Sequence, residues 1–425
     1  MNGISEAAAV DRLQSQRHPR ANPKVLLYSH DTFGLGHLRR NLAIAAHLLQ
    51  RNRPFAARLL TGSPVAASWP MPAGLEVQPL PPVVKTGAEE YAARDRSMSF
   101  ALAKARREEL ILESVIHYRP DVFLVDHAPA GMKGELLEAL AFIRSELPET
   151  RIVLGLRDIL DSPQTVRQLW RDEGIYQLLD STYDHILVYG SRHLFDAVGE
   201  YRMPPAVAAK ASYCGYIVES GAGVAAATVQ ASRNAGLASR RPVILVTTGG
   251  GGDGFPLMHA YLRALNAMPH HAAESLLVTG PLMDIEQRRA LEQAAARRPD
   301  IRVISQTTEL TELIRNADLV VAMCGYNTTA EILAARKPAI LAPRAAPRAE
   351  QRLRATLIGK LGLAWVVRPE EDLIVRLSEL LRAFLAGERP EQPEWSRVDL
   401  AGVHRVGDAL DELLEPSAFT LEATA

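Results

Sequence analysis

Cysteine is nearly absent: two residues in 425, Cys214 and Cys324, set far apart. They form no CxxC pair, which argues against a zinc site and a disulfide framework and fits a reducing compartment. Aromatic residues make up only 6%, sparse for a surface that stacks bases. Charge of neither sign dominates: 48 basic against 49 acidic residues leave a formal net charge of −1. That excludes a polyanion binder relying on net charge, though not a local basic patch, and no nucleic-acid partner is expected. No apolar run approaches the roughly 18 residues of a membrane span. Residues 1–22 also lack the apolar segment of a signal peptide. The expectation is a soluble, cytoplasmic protein with a loose polar tail over 1–22.

What is present is ordinary for a globular chain: 47% hydrophobic and 23% charged residues. The length suggests two or three domains at about 150 residues each. Lys24–Ser29 (KVLLYS) reads as a buried strand. Glycines follow, then helical spacing over Leu38–Gln50. Strand-like runs recur at Ala57–Thr61, Leu75–Leu80, Val122–Val125, Ile152–Leu156 and Ile186–Tyr189. Helical stretches at Ser97–His117 and Gly134–Glu146 lie between. Strands alternating with helices imply a parallel sheet covered on both faces.

The pattern then restarts. Gly221–Ser239 reads as the end of a linker plus a modest helix. Pro242–Thr247 (PVILVT) is a second strand running into glycines, with a helix expected over Phe255–Ala267. Further strands are expected at Ser275–Thr279, Ile301–Ile304, Leu319–Ala322 and Ala339–Leu341. The fold class is therefore α/β, with two doubly wound domains and a crevice at each switch point. The boundaries are an N-terminal domain over 23–215, a linker and helix over 216–241, and a C-terminal domain over 242–390. A C-terminal helix within 391–415, seen in Trp395–Leu414, is expected to pack back on the first domain. Residues 416–425 form a tail.

Three constellations carry chemistry. Gly249, Gly250, Gly251, Gly252 and Gly254 open the second domain. Glycines let a backbone approach a phosphate, and the next helix offers free N–H groups and a positive dipole end. No acid ends the following strand, as a nicotinamide site wants, and Phe255 stands where an ATP-type loop has lysine. The loop suits a diphosphate of another class, or else is simply a tight turn.

In the first loop, Gly34-x-Gly36-His37 places a histidine at the mouth of the sheet near a helix N-terminus, where the dipole favours the neutral imidazole. Asp126 ends a hydrophobic run on the same sheet edge and is the best candidate to orient it. His30, Asp31 and His127 compete for that role, and a packing histidine is the plainer reading of His37.

The third constellation is Asp318–Pro338. Gly325 permits a turn, and a helix begins near Thr328. Thr328-x-x-Glu331 reads as a capping box. The same geometry puts Glu331 in the first turn, facing the crevice, where a carboxylate accepts ribose hydroxyls. Glu350 and Gln351 open a further helix and suit sugar hydroxyls or a solvated first turn.

Together GLGHLRRNLAIA at 34–45, TTGGGGDG at 247–254, MCGYNTTAEILAARKPAIL at 323–341 and EQRLRA at 350–355 resemble a known family. The chain is similar to GT-B-fold bacterial glycosyltransferases of the MurG branch, with a family 28-type C-terminal domain. The resemblance covers most of 24–370 in order. It implies that His37 stands near the acceptor, in a loop with Gly34, Gly36 and Arg39. It implies that Gly249–Gly254 hold the donor diphosphate and that Gly325, Asn327, Thr328 and Glu331 bind the nucleotide and ribose. Glu350 and Gln351 would touch the donor sugar. A hexose-type sugar would move from a nucleotide-diphosphate donor, UDP-linked in that family, to an acceptor hydroxyl with inversion. No metal and no cofactor are implied, because loop amides and helix dipoles neutralise the leaving diphosphate. The first loop has fewer glycines than that branch, the second lacks its serine, and Arg352-Leu353-Arg354 follows the Glu–Gln pair where an Asn is common. These departures leave donor and acceptor open.

The opening GLGHLRR is also similar to that of the nucleotide-sugar hydrolase of pseudaminic acid synthesis, so hydrolysis is the runner-up, and an inactive nucleotide-sugar binder is the non-enzyme alternative. The acceptor is a glycan, a lipid-linked molecule or a small molecule. Ser97–Arg107 (SMSFALAKARR) reads first as an amphipathic surface helix and second as a weak peripheral contact with the inner face of a membrane.

Overall fold

A computed structural model describes residues 22–31, 35–85, 91–95, 97–218, 241–269, 272–344, 348–391 and 393–415. The readings of a loose start, a linker helix near 221–239 and a terminal tail fall outside these residues, as does Gly34.

The first sheet contains β1 (Lys24–Ser29), β2 (Ala56–Thr61) and β3 (Glu76–Pro79). A hairpin, β4 (Val83–Lys85) and β5 (Tyr91–Ala93), stands apart from it. The sheet continues with β6 (Val122–Asp126), β7 (Arg151–Arg157), β8 (His185–Tyr189) and β9 (Ala211–Tyr213). Its order is β3-β2-β1-β6-β7-β8-β9. All its pairings are parallel. Such sheets are buried on both faces, which is why β1 reads Val25, Leu26, Leu27 and Tyr28 without alternation, all with no exposed surface.

The second sheet holds β10 (Val243–Thr247), β11 (Glu274–Val278), β12 (Ile301–Ile304), β13 (Leu319–Ala322), β14 (Ala339–Leu341) and β15 (Trp365–Val366). Its order is β12-β11-β10-β13-β14-β15, again all parallel. Both sheets reverse direction of growth beside their first strand, between β1 and β6 and between β10 and β13. Switch points open a crevice at the carboxyl edge, where ligands bind in such folds.

Four helices matter for the site: α1 (Gly36–Leu49) after β1, α2 (Phe255–Asn266) after β10, α3 (Tyr326–Ala335) after β13 and α4 (Glu350–Lys360) after β14. A last helix, α5 (Gly402–Leu414), returns to the first domain. There Arg51, just after α1, reaches Asp408 at 2.8 Å and Asp411 at 2.7 Å. The helix expected over Trp395–Leu414 is broken: a short turn at Trp395–Arg397 precedes α5. Asp399 explains the break. Its carbonyl accepts Tyr216 N–H at 2.8 Å, and its side chain accepts Ala401 N–H at 3.1 Å.

The stretch Ser97–Arg107 runs into the helix Phe100–Tyr118, which buries Ala103 and Arg107 on one face and exposes Leu102 and Arg106 on the other. Arg107 is turned to the core, with no exposure and an ion pair to Glu135 at 2.6 Å, while the neighbouring Arg106 stays exposed and pairs with Glu109. Among the described residues no helix is long and apolar enough to cross a membrane.

Candidate active site at the interdomain cleft

The carboxyl edges of the two sheets face each other across a cavity of about 590 Å³. From the first domain it is lined by Asp31, Gly36, His37, Arg39, Ser63 and Arg157, among others. From the second domain come Gly249–Gly252, Gly325, Asn327, Thr328, Glu350 and Gln351. Residues from both halves of a 425-residue chain thus share one wall-to-wall space.

His37 is the second residue of α1. Asp126 closes β6, the strand paired with β1, so the two side chains meet at one edge. His37 Nδ1 lies 2.6 Å from Asp126 Oδ2. A carboxylate there accepts the Nδ1 proton and leaves Nε2 with a free lone pair. Arg40, one turn along α1, grips the same carboxylate through Nε at 3.0 Å and Nη2 at 2.6 Å. Burial alone would raise the Asp126 carboxyl. Arg40 and His37 overturn this and hold it well below the usual carboxylate range. Burial also lowers His37 from its ordinary value, against the opposing pull of Asp126. The pair is therefore a neutral imidazole oriented by a fixed anion.

The competitors sit close by but do not orient His37. The rings of His30 and His127 are centred 5.6 Å and 5.1 Å from the His37 ring. Burial is the main cause that holds both well below the ordinary histidine value, with Arg157 adding to it at His127. Among the described residues no three His, Cys, Asp or Glu side chains converge as metal ligands.

The second glycine loop is shaped by contact. Gly251 has φ of +91°, and a Cβ there would strike the Thr279 carbonyl oxygen. At Gly254 a Cβ would run into the Thr248 side chain. Gly254 caps α2 and lies behind the cavity wall, while Gly249–Gly252 form the wall. Their amides and the first turn of α2 present the donors an anion needs. We expect Gly251→Ala to weaken binding of a nucleotide diphosphate by about 5- to 150-fold, since strain and collision of about 1–3 kcal/mol must distort the loop. Calorimetry with UDP checks this.

The capping box at Thr328 and Glu331 does not form. α3 starts at Tyr326 with Gly325 as its cap, and no side chain caps it. Glu331 consequently falls in the second turn, not the first. It is buried, lies outside the main cavity wall and is ion-paired with Arg39 of the first domain. Asn327, in contrast, lines the cavity and donates from Nδ2 to the Gly36 carbonyl at 2.9 Å, tying α3 to the start of α1.

Glu350 and Gln351 open α4 and line the cavity. Glu350 meets Arg344 at 3.1 Å and Arg157 at 3.2 Å. Burial would raise its carboxyl, but Arg157, Arg354 and Arg344 bring it below the usual value. Arg344 also holds Asp253 of the glycine loop at 2.6 Å. Arg157 in turn lies 3.5 Å from His127 Nε2. One chain of polar contacts therefore runs from the glycine loop to the histidine cluster.

Arg40, Arg157 and the Asp158–Arg354 pair escaped the reading of the sequence. Arg40 had a signal in its place one turn after His37. Arg157 and Asp158 had the signal that found Asp126, since both follow an apolar strand at its carboxyl edge. Arg354 had none, because its partner lies 196 residues away.

Comparison with known proteins bears on the fold. Residues 243–402 match the family model of the glycosyltransferase family 28 C-terminal domain. Over 144 residues the chain is 28% identical to the UDP-N-acetylglucosamine--N-acetylmuramyl-(pentapeptide) pyrophosphoryl-undecaprenol N-acetylglucosamine transferase of Alkaliphilus oremlandii (strain OhILAs). That match takes in 34% of this chain and 39% of the relative. The chain thus spans little more than a third of the length of the curated relatives it matches. Among solved structures, the glycotransferase of kitacinnamycin superposes with a TM-score of 0.58 at 18% identity, over 93% of this chain and 100% of that one. MurG of Acinetobacter baumannii gives 0.56 at 13% identity, over 92% and 99%. The chain has the two-domain GT-B fold of these glycosyltransferases, and within its second half residues 243–402 match the family 28 C-terminal domain.

Proposed function

We propose that the protein is a glycosyltransferase that moves a hexose-type sugar from a nucleotide-diphosphate donor, UDP-linked, to an acceptor hydroxyl. The observation that carries this reading is the His37–Asp126 pair at 2.6 Å, facing a glycine loop across one cavity. A base on one wall and a diphosphate cradle on the other are what direct displacement at an anomeric carbon needs. The family 28 match and the UDP-sugar transferase relative support the donor class.

In this mechanism the diphosphate rests on the amides of Gly249–Gly252 and the start of α2. The donor sugar lies against Glu350 and Gln351, and the nucleoside against Gly325, Asn327 and Thr328. Glu331 reaches the ribose by exchanging Arg39 for its hydroxyls. The acceptor oxygen attacks the anomeric carbon as the carbon–oxygen bond to the diphosphate breaks. His37 Nε2 takes the acceptor proton, and the electron pair departs with the diphosphate. A single displacement inverts the anomeric centre. Loop amides and the helix dipole stabilise the leaving charge. The first domain supplies the acceptor side and the second the donor side, with activity at the inner, cytoplasmic side of the cell and lipid-linked or small-molecule acceptors as the candidates.

The pH profile tests the base. His37 works when neutral, and burial lowers its pKa from 6.5. The acid limb of kcat/KM is therefore expected below pH 6.5, with full activity above it. Asp126 pulls the His37 pKa upward, so Asp126→Asn shifts the limb further down while lowering the plateau. A limb rising only above pH 7.5, or one unmoved by Asp126→Asn, would exclude His37 as the base.

A further inference from the structure

Two polar side chains in the cavity wall have no part in the mechanism above. Asp31 follows β1 and Ser63 follows β2, on neighbouring strands whose ends are in register at Ser29 and Thr61. Both line the cavity, and they are 4% and 9% exposed. Thr61 Oγ1 donates to Asp31 Oδ2 at 2.5 Å, and the Ser63 N–H donates to Thr61 Oγ1 at 3.2 Å. Asp31 Oδ1 and Ser63 Oγ are buried without a hydrogen bond of normal geometry, and so is the hydroxyl of Ser29, the neighbouring polar group that supports the Asp31 carboxylate. Burial raises the Asp31 carboxyl, while Thr61, His37 and Ser29 favour its charged form. Leaving a buried carboxylate oxygen and a buried hydroxyl unpaired is costly, and such atoms in a cavity wall mark where a ligand group belongs.

We propose, resting on the glycosyltransferase reading, that Asp31 and Ser63 form an acceptor subsite for a second hydroxyl, close to the one that reacts at His37. A hydroxyl satisfies both atoms at once: it donates to Asp31 Oδ1 and accepts from Ser63 Oγ. A protonated amine fits less well, because it has no lone pair for Ser63. It would also share the cavity with Arg39, Arg40, Arg94, Arg157 and Arg344. The surroundings define the rest of the acceptor. Leu35, Pro64, Val65, Trp69, Val83 and Val84 line the same side, so the body of the molecule is apolar. The acceptor class is an apolar molecule with two neighbouring hydroxyls, one glycosylated and one held.

The test compares matched acceptors on the full-length protein with a panel of UDP-sugars: catechol against phenol, 1,2-octanediol against 1-octanol, and methyl glucoside as a diol with a polar body. Wild type is expected to favour the diol over its mono-ol by about 10- to 100-fold in kcat/KM, the range for a hydrogen bond to a buried charged group. Asp31→Asn and Asp31→Ala bring that ratio toward one, and Ser63→Ala lowers it about 3- to 10-fold. Equal use of diol and mono-ol by wild type, a comparison that needs no variant, overturns the subsite. So does a ratio that survives Asp31→Ala, which would mark Asp31 as a structural group. Preference for methyl glucoside overturns the apolar body. If no UDP-sugar is transferred to any acceptor, the glycosyltransferase reading falls and the subsite with it. Transfer without diol preference removes the subsite alone.

Discussion

Replacing His37 with alanine is expected to lower kcat/KM for sugar transfer by about 10²- to 10⁴-fold, the usual contribution of a positioned general base. Affinity for the donor nucleotide should change by less than about threefold, because the residues proposed to bind it stand on the second domain, across the cavity. The loss is expected in kcat, since proton removal belongs to the transition state and not to the bound ground state. Asp126→Asn should come close to the same loss by a different route. The carboxylate accepts the Nδ1 proton at 2.6 Å and so directs the lone pair of Nε2 to the cavity. An amide can present its N–H groups instead, which favours the tautomer with Nε2 protonated and unable to act as a base. The substitution also strips Arg40 of the carboxylate that it holds with two nitrogens. Steady-state kinetics on both variants, with nucleotide binding measured separately, tells a lost base from a lost site. Transfer by His37→Ala at the wild-type rate would show that another group removes the proton.

The second large effect lies in stability. Arg354, on α4, grips Asp158 of the first domain through Nε at 3.0 Å and Nη2 at 2.7 Å, and its Nη1 donates to the Cys324 carbonyl at 2.8 Å. Tyr216 donates to Asp158 Oδ2 at 2.9 Å from the chain that leaves the first domain. Both charged side chains are buried, with 0% and 1% exposure. Arg354→Met is expected to cost about 3–5 kcal/mol, because it leaves the Asp158 carboxylate buried with a hydroxyl as its remaining side-chain partner. Replacing both partners, as in Arg354→Met with Asp158→Leu, is expected to return much of that loss, since neither charge then remains to be solvated. Denaturant unfolding of the two single variants and the double variant measures the cycle. A single-variant loss under about 1 kcal/mol would mean that water or another side chain satisfies Asp158 when the arginine goes.

What the sequence revealed follows from the range of the interactions involved. β1, β13 and β14 have the expected ends because buried parallel strands are short apolar runs, and the edge strand β12 (IRVI) has them too although only Ile301 is buried. His37 and Asp126 were legible together for a related reason: the loop and helix start after one parallel strand and the last residue of its neighbour gather at one sheet edge. The glycine loop was legible because Gly251 and Gly254 are positions where a side chain collides. The hairpin of β4 and β5, and the short strands β9 and β15, were not seen, because two or three residues carry no periodicity. Glu331 shows a sharper limit. Its local pattern reads as a capping box, but Arg39, from a helix 292 residues earlier, fixes it instead. Arg107 makes the same point, since nothing near it in sequence announces Glu135. Contacts between the two domains depend on how they dock, and no local spacing encodes that.

The most direct test of the proposed transferase is the fate of the sugar. The protein would be incubated with UDP-sugars carrying label in the sugar, with and without an extract of cell lipids and glycans, and both released nucleotide and labelled products followed. The proposed mechanism predicts that nucleotide release depends on the extract, that the label appears on an acceptor, and that both fail with His37→Ala. Release at full rate in buffer alone, with the label recovered as free sugar, would contradict it and make water the natural acceptor.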